Sequence, residues 1–205
     1  MRFILILFIT TTLISCKTDQ NNDTKSTAEE ILESGQNNIT TNNGIDSTLI
    51  KKYGPGSQIP SDKFTDVNDV EYSVNNWKGK YMLIDFWATW CGPCIDEQPH
   101  IKEMREKFKN IEFVSISIDD DKAFWKQFLE EKNLEVNEFW LANERNRPLH
   151  SMTYSIEQID GQSMALMSLP TFTLIDPNGK ILDRNFTRPS SDEFENDLKE
   201  ALKKS

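Results

Sequence analysis

Two long apolar runs lie near the middle of the chain. Residues 81 to 88 and residues 111 to 118 are almost continuously hydrophobic, and Asp85 is the one acid in the first run. Short runs of this kind predict strands that are buried on both faces of a sheet. Residues 92 to 109 between them have apolar side chains at helical spacing, and Pro99 should kink that helix. The pattern predicts a right-handed βαβ unit with parallel strands.

A second helix is predicted after the second run. The acids at 119 to 121 can cap its first turn, and it should continue to Lys132. Its inward-facing side chains are predicted to be Phe124, Trp125, Phe128 and Leu129. Residues 133 to 168 then form an irregular central insert, in which we expect a strand at 138 to 142 and a helix at 146 to 158, broken by Pro148.

The C-terminal part returns to a regular pattern. Residues 171 to 175 predict a strand, and the turn sequence at 176 to 179 predicts a hairpin with residues 180 to 184. Ser190 with Glu193 predicts the capping box of a final helix. These elements predict an α/β fold, with a central mixed β-sheet flanked by helices.

The N-terminal part has a different character. The apolar run up to Ser15 is shorter than the ~20 residues that a transmembrane helix needs, so residues 1 to 15 are predicted to be a signal peptide. Residues 16 to 52 are polar and cannot bury enough surface to offset their ordering entropy, which predicts a flexible tether. The folded domain is expected at 53 to 205, beginning with a short β extension near residues 70 to 74.

The end of the apolar run admits two interpretations. An ordinary signal peptide would be cleaved and leave nothing behind. The bacterial lipobox, in which the cysteine carries lipid, resembles Leu13-Ile14-Ser15-Cys16, and we favour this second interpretation. Lipidation of Cys16 would anchor the protein to a membrane on the extracytoplasmic side of the cell envelope, and would leave the other two cysteines as an isolated pair.

Composition narrows the class of partner. The formal net charge is −10, and no basic stripe is visible. Nucleic acids and anionic membrane surfaces require clustered Lys and Arg, so we expect neither as the main partner. The chain is expected to act as a monomer.

The remaining cysteines, Cys91 and Cys94, are three positions apart. A disulfide across so short a loop is a poor structural staple, because it stabilises by less than the ~3 kcal/mol of a 15-residue loop. A zinc site would need four ligands, and the two histidines, His100 and His150, lack zinc-finger spacing. Redox chemistry is the stronger interpretation: Cys91 lies where a strand ends and a helix begins, and the positive end of the helix dipole favours its thiolate. Cys91 should attack and Cys94, one turn into the helix, should resolve the mixed disulfide.

The sequence around these cysteines resembles a known family. The stretch from Trp87 to Cys94, WATWCGPC, resembles the thioredoxin active-site motif, and residues 168 to 171, SLPT, resemble the loop in which thioredoxins place a cis-proline. The lipobox, the tether and the central insert are similar to features of the membrane-anchored TlpA/ResA-type thiol–disulfide oxidoreductases. The resemblance covers roughly residues 55 to 205, implies a thioredoxin fold, and requires no metal or other cofactor.

The resemblance also implies roles for particular residues. Asp85 lies where thioredoxins keep a buried aspartate that exchanges a proton with the resolving cysteine. Glu97, three residues after Cys94, matches a glutamate of the ResA-like proteins, so which acid serves Cys94 stays open. The residues expected to contact substrate are Trp90, Gly92, Pro93, Leu169 and Pro170.

The direction of electron flow is predicted from the two residues between the cysteines. Gly-Pro is the thioredoxin choice, and thioredoxin has a potential of about −270 mV, against about −120 mV for the oxidant DsbA. We therefore expect a reductant of disulfides in exported proteins, apocytochrome c among the candidates. A membrane thiol-relay protein would supply its electrons.

Three alternatives remain. A peroxiredoxin-like thiol peroxidase would place Thr three positions before the cysteine, whereas Thr89 lies two before Cys91. A thioredoxin-like lipoprotein that only binds partners would not need Asp85, Pro170 or the cysteine pair. An oxidase or isomerase would differ in potential and not in fold.

Overall fold

The computed structural model describes residues 45 to 134 and 137 to 204. The predicted signal peptide, Cys16 and most of the predicted tether lie outside these ranges. Within the described part of the chain, no helix is long and apolar enough to cross a bilayer.

The described residues form nine strands, four α-helices and two short 3₁₀ segments. The strands are β1 (Phe64–Thr65), β2 (Glu71–Tyr72), β3 (Tyr81–Trp87), β4 (Ile111–Ser117), β5 (Glu138–Trp140), β6 (Tyr154–Ile159), β7 (Gln162–Met167), β8 (Thr171–Ile175) and β9 (Ile181–Asp183). The helices are α1 (Ser47–Lys52), α2 (Gly92–Lys107), α3 (Lys122–Lys132) and α4 (Phe194–Lys204), and the 3₁₀ segments are Val74–Trp77 and His150–Thr153.

Seven strands form one mixed sheet in the order β2-β1-β5-β4-β3-β8-β9. The central strands β3, β4 and β5 are parallel to one another, as the βαβ pattern predicts, and β8 pairs with β3 antiparallel. The predicted mixed sheet and the hairpin of β8 with β9 are confirmed. The predicted β extension is present as β2, which pairs with β1 at the edge of the sheet.

Successive residues of β3 face opposite sides of the sheet. Leu83 packs with α2 and α4 side chains, whereas Met82, Ile84 and Phe86 belong to the core on the other face. Both faces are therefore covered, which explains why the run reads as continuously apolar. Helix α3 packs against the cysteine end of β3 through Trp125 and Leu129. Phe124, predicted to face inward, is instead 53% exposed.

The ordered part of the domain begins earlier than residue 53. Asp46 caps α1 by accepting a hydrogen bond from the Thr48 amide, and Ile45 and Ile50 are buried against Tyr154. Residues 45 to 52 thus belong to the fold and not to a tether, because two isoleucines supply the apolar contact that the rest of the polar segment lacks.

The predicted helix at 146 to 158 is wrong. A 3₁₀ segment from His150 to Thr153 leads instead into β6 and β7, which form a separate two-stranded sheet. Asp160 and Gly161 connect them, with φ values of 51° and 77°. A two-residue turn with positive φ at both positions is the preferred connection of a β-hairpin, and Asp-Gly is among its strongest sequence signals. That signal was present in the sequence.

Candidate active site

The two cysteines lie at the amino end of α2. Cys91 is the N-cap residue, and the Cys94 amide donates a hydrogen bond to Cys91 Sγ at 3.2 Å. The side chains are joined in a disulfide of 2.02 Å, with the two Cα atoms 5.3 Å apart. Cys91 retains 6% of its surface exposed and Cys94 none. Solvent or a partner can therefore reach only Cys91.

Exposed residues surround Cys91. Trp90 is 60% exposed, and Gly92 and Pro93 are also at the surface. On the other side, Leu169 packs against the cluster that contains both cysteines, and the Leu169–Pro170 peptide bond is cis. The fold thus brings together the two segments, 90 to 94 and 168 to 171, that the family resemblance singled out.

Asp85 lies in β3, six residues before Cys91 in the chain. It is 3% exposed, and within the described ranges neither carboxyl oxygen has a hydrogen-bond partner. Burial, and secondarily the charge of Glu97, raises the pKa of Asp85 to about 8, while the charge of Arg105 opposes this shift. Asp85 therefore carries a proton at neutral pH in this oxidised state.

Glu97 is also buried, but it is bonded. Its two carboxylate oxygens accept hydrogen bonds from the amide of Ser190, at 3.0 Å, and from the Ser190 hydroxyl, at 2.6 Å. Ser190 was expected to cap the last helix, which begins only at Phe194. Glu97 thus joins α2 to the loop before α4, so its oxygens are less free to accept a proton than those of Asp85.

Asp119 is a supporting residue that the sequence did not single out. It was predicted only as part of a helix cap. Its carboxylate accepts hydrogen bonds from the Thr89 amide and from the hydroxyls of Thr89 and Ser117, both at 2.6 Å. Since Thr89 precedes Cys91 by two residues, these bonds fix the turn that carries Cys91.

Glu138 is a second acid that the sequence did not assign to the site. It is 4% exposed and accepts a hydrogen bond from Trp87 Nε1 at 3.1 Å. Burial and the charge of Asp85 raise its pKa well above the ordinary value, with Arg105 opposing the shift. The pairing joins residues 51 positions apart, and sequence periodicity carries no sign of it.

The residues from 45 to 134 and from 137 to 204 contain no cluster of three or more His, Cys, Asp or Glu side chains that could hold a metal ion. Within those ranges the candidate chemistry consists of the cysteine pair and the buried carboxyl groups below it.

Comparison with known proteins identifies the family. The model of the family Redoxin matches residues 54 to 202. The chain belongs to the redoxin family. A relative of this redoxin, the thiol-disulfide oxidoreductase ResA of Bacillus cereus (strain ZK / E33L), is 27% identical over 142 residues, covering 68% of this chain and 74% of the relative.

Solved structures agree with this assignment. A crystal structure of a Bacteroides vulgatus protein is 29% identical to this redoxin, has a TM-score of 0.61, and covers 74% of this chain and 99% of its own. The thioredoxin domain of a thiol-disulfide oxidoreductase from Bacteroides vulgatus is 26% identical, with a TM-score of 0.57 and coverages of 71% and 96%. The predicted thioredoxin fold, and the prediction of a ResA-type protein-disulfide oxidoreductase, are confirmed.

Proposed function

We propose that this redoxin is an extracytoplasmic reductant of disulfides in exported proteins, with Cys91 as nucleophile and Cys94 as resolving cysteine. One observation carries the proposal: the Cys91–Cys94 disulfide lies at the N-terminus of α2, with only Cys91 accessible. The Gly92-Pro93 dipeptide between the cysteines supports the reducing direction, because thioredoxin has the same one and a low potential.

The first step forms a mixed disulfide. The Cys94 amide, which donates to Cys91 Sγ, and the helix dipole at the start of α2 favour the thiolate of reduced Cys91. This thiolate attacks one sulfur of the substrate disulfide, and the other substrate sulfur leaves as a thiolate. The exposed surface of Trp90, Gly92 and Pro93 would contact the substrate chain on one side of Cys91, and Leu169 and Pro170 would contact it on the other.

The second step releases the substrate. Cys94 gives its proton to a base, its sulfur attacks Cys91 Sγ, and the second substrate sulfur leaves as a thiolate. Two electrons have then passed from the cysteine pair to the substrate, and the disulfide seen here is the product state. We assign the base to Asp85 and not to Glu97, because Ser190 already occupies both oxygens of Glu97.

The N-terminal residues supply the proposed location. Residues 1 to 15 would direct export, Cys16 would carry the lipid, and the polar residues up to about 44 would tether the domain to the membrane. A membrane thiol-relay protein would return the oxidised pair to the dithiol. Exported proteins with oxidised cysteine pairs, apocytochrome c among them, form the proposed class of acceptors.

A trapping experiment tests these roles. Cys94→Ser should accumulate a mixed disulfide with an oxidised peptide substrate, because nothing resolves it, whereas Cys91→Ser should accumulate none. Non-reducing gels followed by mass spectrometry would report the adduct and its site. Equal trapping by both variants, or trapping by neither, would contradict the assignment of nucleophile and resolving cysteine.

A further inference from the structure

A row of polar side chains crosses the central strands of the sheet, beginning at Asp85. The strand registers pair Asp85 of β3 with Ser115 of β4, and Ser115 with Glu138 of β5. Residues in register on parallel strands face the same side of the sheet, so the three side chains lie next to one another. All are buried, with exposures of 3%, 0% and 4%. An apolar core strand would ordinarily carry hydrophobic residues at such positions.

The polar atoms of this row are poorly satisfied. Within the described ranges, both oxygens of Asp85 are buried without a hydrogen-bond partner, as are Nε2 of Gln98 and Nε of Arg105 on the adjoining helix α2. The Ser115 hydroxyl interacts with the Glu138 carboxyl group, and this hydrogen bond opposes the rise of the Glu138 pKa. Buried polar groups are normally bonded to protein or to ordered water, so a group of orphans at one place indicates a function or access for water.

A cavity reaches the far end of the row. It has a volume of about 310 Å³ and is lined by Glu138, and by Gln98 and Arg105 of α2. Lys102, Glu106, Lys109 and Asn133 also line it and are exposed, so it opens to the surface. Glu138 is thus the member of the row that meets the cavity, and the cavity lies beside the later turns of α2, past the disulfide.

We propose that Glu138 is the outer member of a proton path, Asp85–Ser115–Glu138, through which Asp85 exchanges protons with solvent in this cavity. The inference rests on the proposed role of Asp85 as base for Cys94. Glu138 first releases its proton to water in the cavity, and its carboxylate then takes the hydroxyl proton of Ser115. Neither Asp85 oxygen bonds Ser115 directly, so a water molecule between them would pass the proton of Asp85 on to Ser115 Oγ. No electrons move.

The need for such a path follows from the state of Asp85. With a pKa of about 8, Asp85 holds a proton at pH 7 and must lose it before it can accept the proton of Cys94. The disulfide side of the site is closed, since Cys94 is fully buried. Two charged groups act on Glu138: Asp85 raises its pKa and Arg105 lowers it.

The path differs from a purely electrostatic role in the sign of its effect. If Glu138 acted only electrostatically, replacing its carboxyl group by a neutral amide would lower the pKa of Asp85 or leave it unchanged, so the Cys94 step at pH 7 would be as fast or faster. If Glu138 carries the proton, removing its carboxyl group slows the same step. The Glu138→Gln variant keeps the volume and an oxygen that can accept from Trp87.

The experiment is stopped-flow reaction of the reduced full chain with Ellman's reagent, in a Cys16→Ser background so that only the two active-site thiols react. The first thiolate released reports Cys91 attack, and the second reports Cys94 attack. We expect E138Q to slow the second phase about tenfold at pH 7 and to leave the first unchanged. The defect should shrink above pH 8, where Asp85 is already deprotonated.

Further variants separate a path from a merely structural role. Ser115→Ala should slow the second phase several-fold, and Glu138→Asp, which restores a carboxyl group, should recover most of the rate. Asp85→Asn with E138Q should be no slower than Asp85→Asn alone, because the two residues act in series. Glu106→Gln is the matched control, since Glu106 lines the same cavity but is exposed and outside the row.

The outcomes are distinct. An unchanged or faster second phase in E138Q overturns the proton path. So does a result in which E138Q slows this phase equally in the wild-type and the Asp85→Asn backgrounds. Slowing by Asp85→Asn without slowing by E138Q or S115A overturns the path and leaves the proposed function intact. No effect of Asp85→Asn overturns the base assignment itself, and the path with it.

Discussion

The active-site turn, residues 88 to 94, and the inserted hairpin, β6 with β7, are held in place by different means. The turn is fixed by the Asp119 carboxylate, which binds Thr89 from the segment just after β4. The hairpin is held from outside the sheet, by apolar contacts with α1 and by Arg184. A buried acid therefore holds the turn in place, whereas α1 and Arg184 hold the hairpin. Changes in the first should alter chemistry, and changes in the second should alter stability alone.

The largest expected effect is the loss of Arg184. Its guanidinium donates to the carbonyls of Ile50, Tyr53, Ser151 and Tyr154, and so joins α1 to the start of the hairpin. Arg184→Ala removes these four hydrogen bonds and should lower the free energy of unfolding by about 3 kcal/mol. Urea unfolding measures this. The Cys91–Cys94 potential should stay within about 30 mV of wild type. A larger change would show that the support of the hairpin also affects the active-site chemistry.

The control for this prediction is Arg188→Ala. Arg188 lies in the same loop region but is exposed, so its removal should change the stability by less than about 0.5 kcal/mol. If the two variants were equally destabilised, the four hydrogen bonds of Arg184 would not be the cause of the loss of stability.

The loss of Asp85 should have the next largest effect, on rate. Asp85→Asn removes the proposed base for Cys94 and should slow the second thiolate release about 100-fold, equivalent to about 2.7 kcal/mol of activation free energy. The first release should not change. Asp96→Asn is the control, because Asp96 is an exposed acid on the first turns of α2. A wild-type rate in Asp85→Asn would contradict the assignment.

Asp85 also predicts a pH dependence of stability. Its pKa rises from 3.8 to about 8 in the folded state, so between these pH values the folded protein binds more protons than the unfolded chain. The free energy of unfolding must then fall as the pH rises, by about 2 kcal/mol from pH 5 to pH 7. Urea titrations of the oxidised protein at both pH values would measure the slope. Glu138 contributes with the same sign, so Asp85→Asn should reduce the slope without abolishing it; an unchanged slope would be inconsistent with a buried, protonated Asp85.

The smallest effect is expected at the hairpin turn. Gly161 has φ of +77° and open space around its Cβ position, so Gly161→Ala costs only backbone strain, about 1 kcal/mol. Gly54→Ala is the control, since Gly54 also has open space but no positive φ. Thermal unfolding compares the two variants. Neither should affect the rates of thiolate release, and a slowed release in Gly161→Ala would tie the hairpin to the chemistry.

The sequence predicted the parts of the fold whose signals are local. The strands β3 and β4, the helix between them and the N-cap position of Cys91 all follow from short-range patterning. Asp121 caps α3 as its position predicts. The hairpin was missed although Asp160-Gly161 signalled it, because residues 146 to 158, which include most of its first strand, were predicted to be a helix. Its strands have an irregular burial pattern, which weakened the alternation.

The site was predicted where a motif covers it and missed where long-range pairing defines it. Cys91, Cys94 and Asp85 lie within ten residues of one another in the chain. The bond of Glu97 to Ser190 spans 93 positions, and that of Trp87 to Glu138 spans 51. Only the fold brings such residues together, and no residue type or spacing in the sequence predicts which of them will pair. The same holds for the register that places Ser115 between Asp85 and Glu138.

The central claim is that electrons leave this redoxin for its substrate. The most direct test equilibrates the full chain with glutathione or dithiothreitol redox buffers and measures the fraction of Cys91–Cys94 disulfide by thiol alkylation and mass spectrometry. The account predicts a potential near that of thioredoxin, about −270 mV. A potential near that of DsbA, about −120 mV, would make the protein an oxidant and contradict the account.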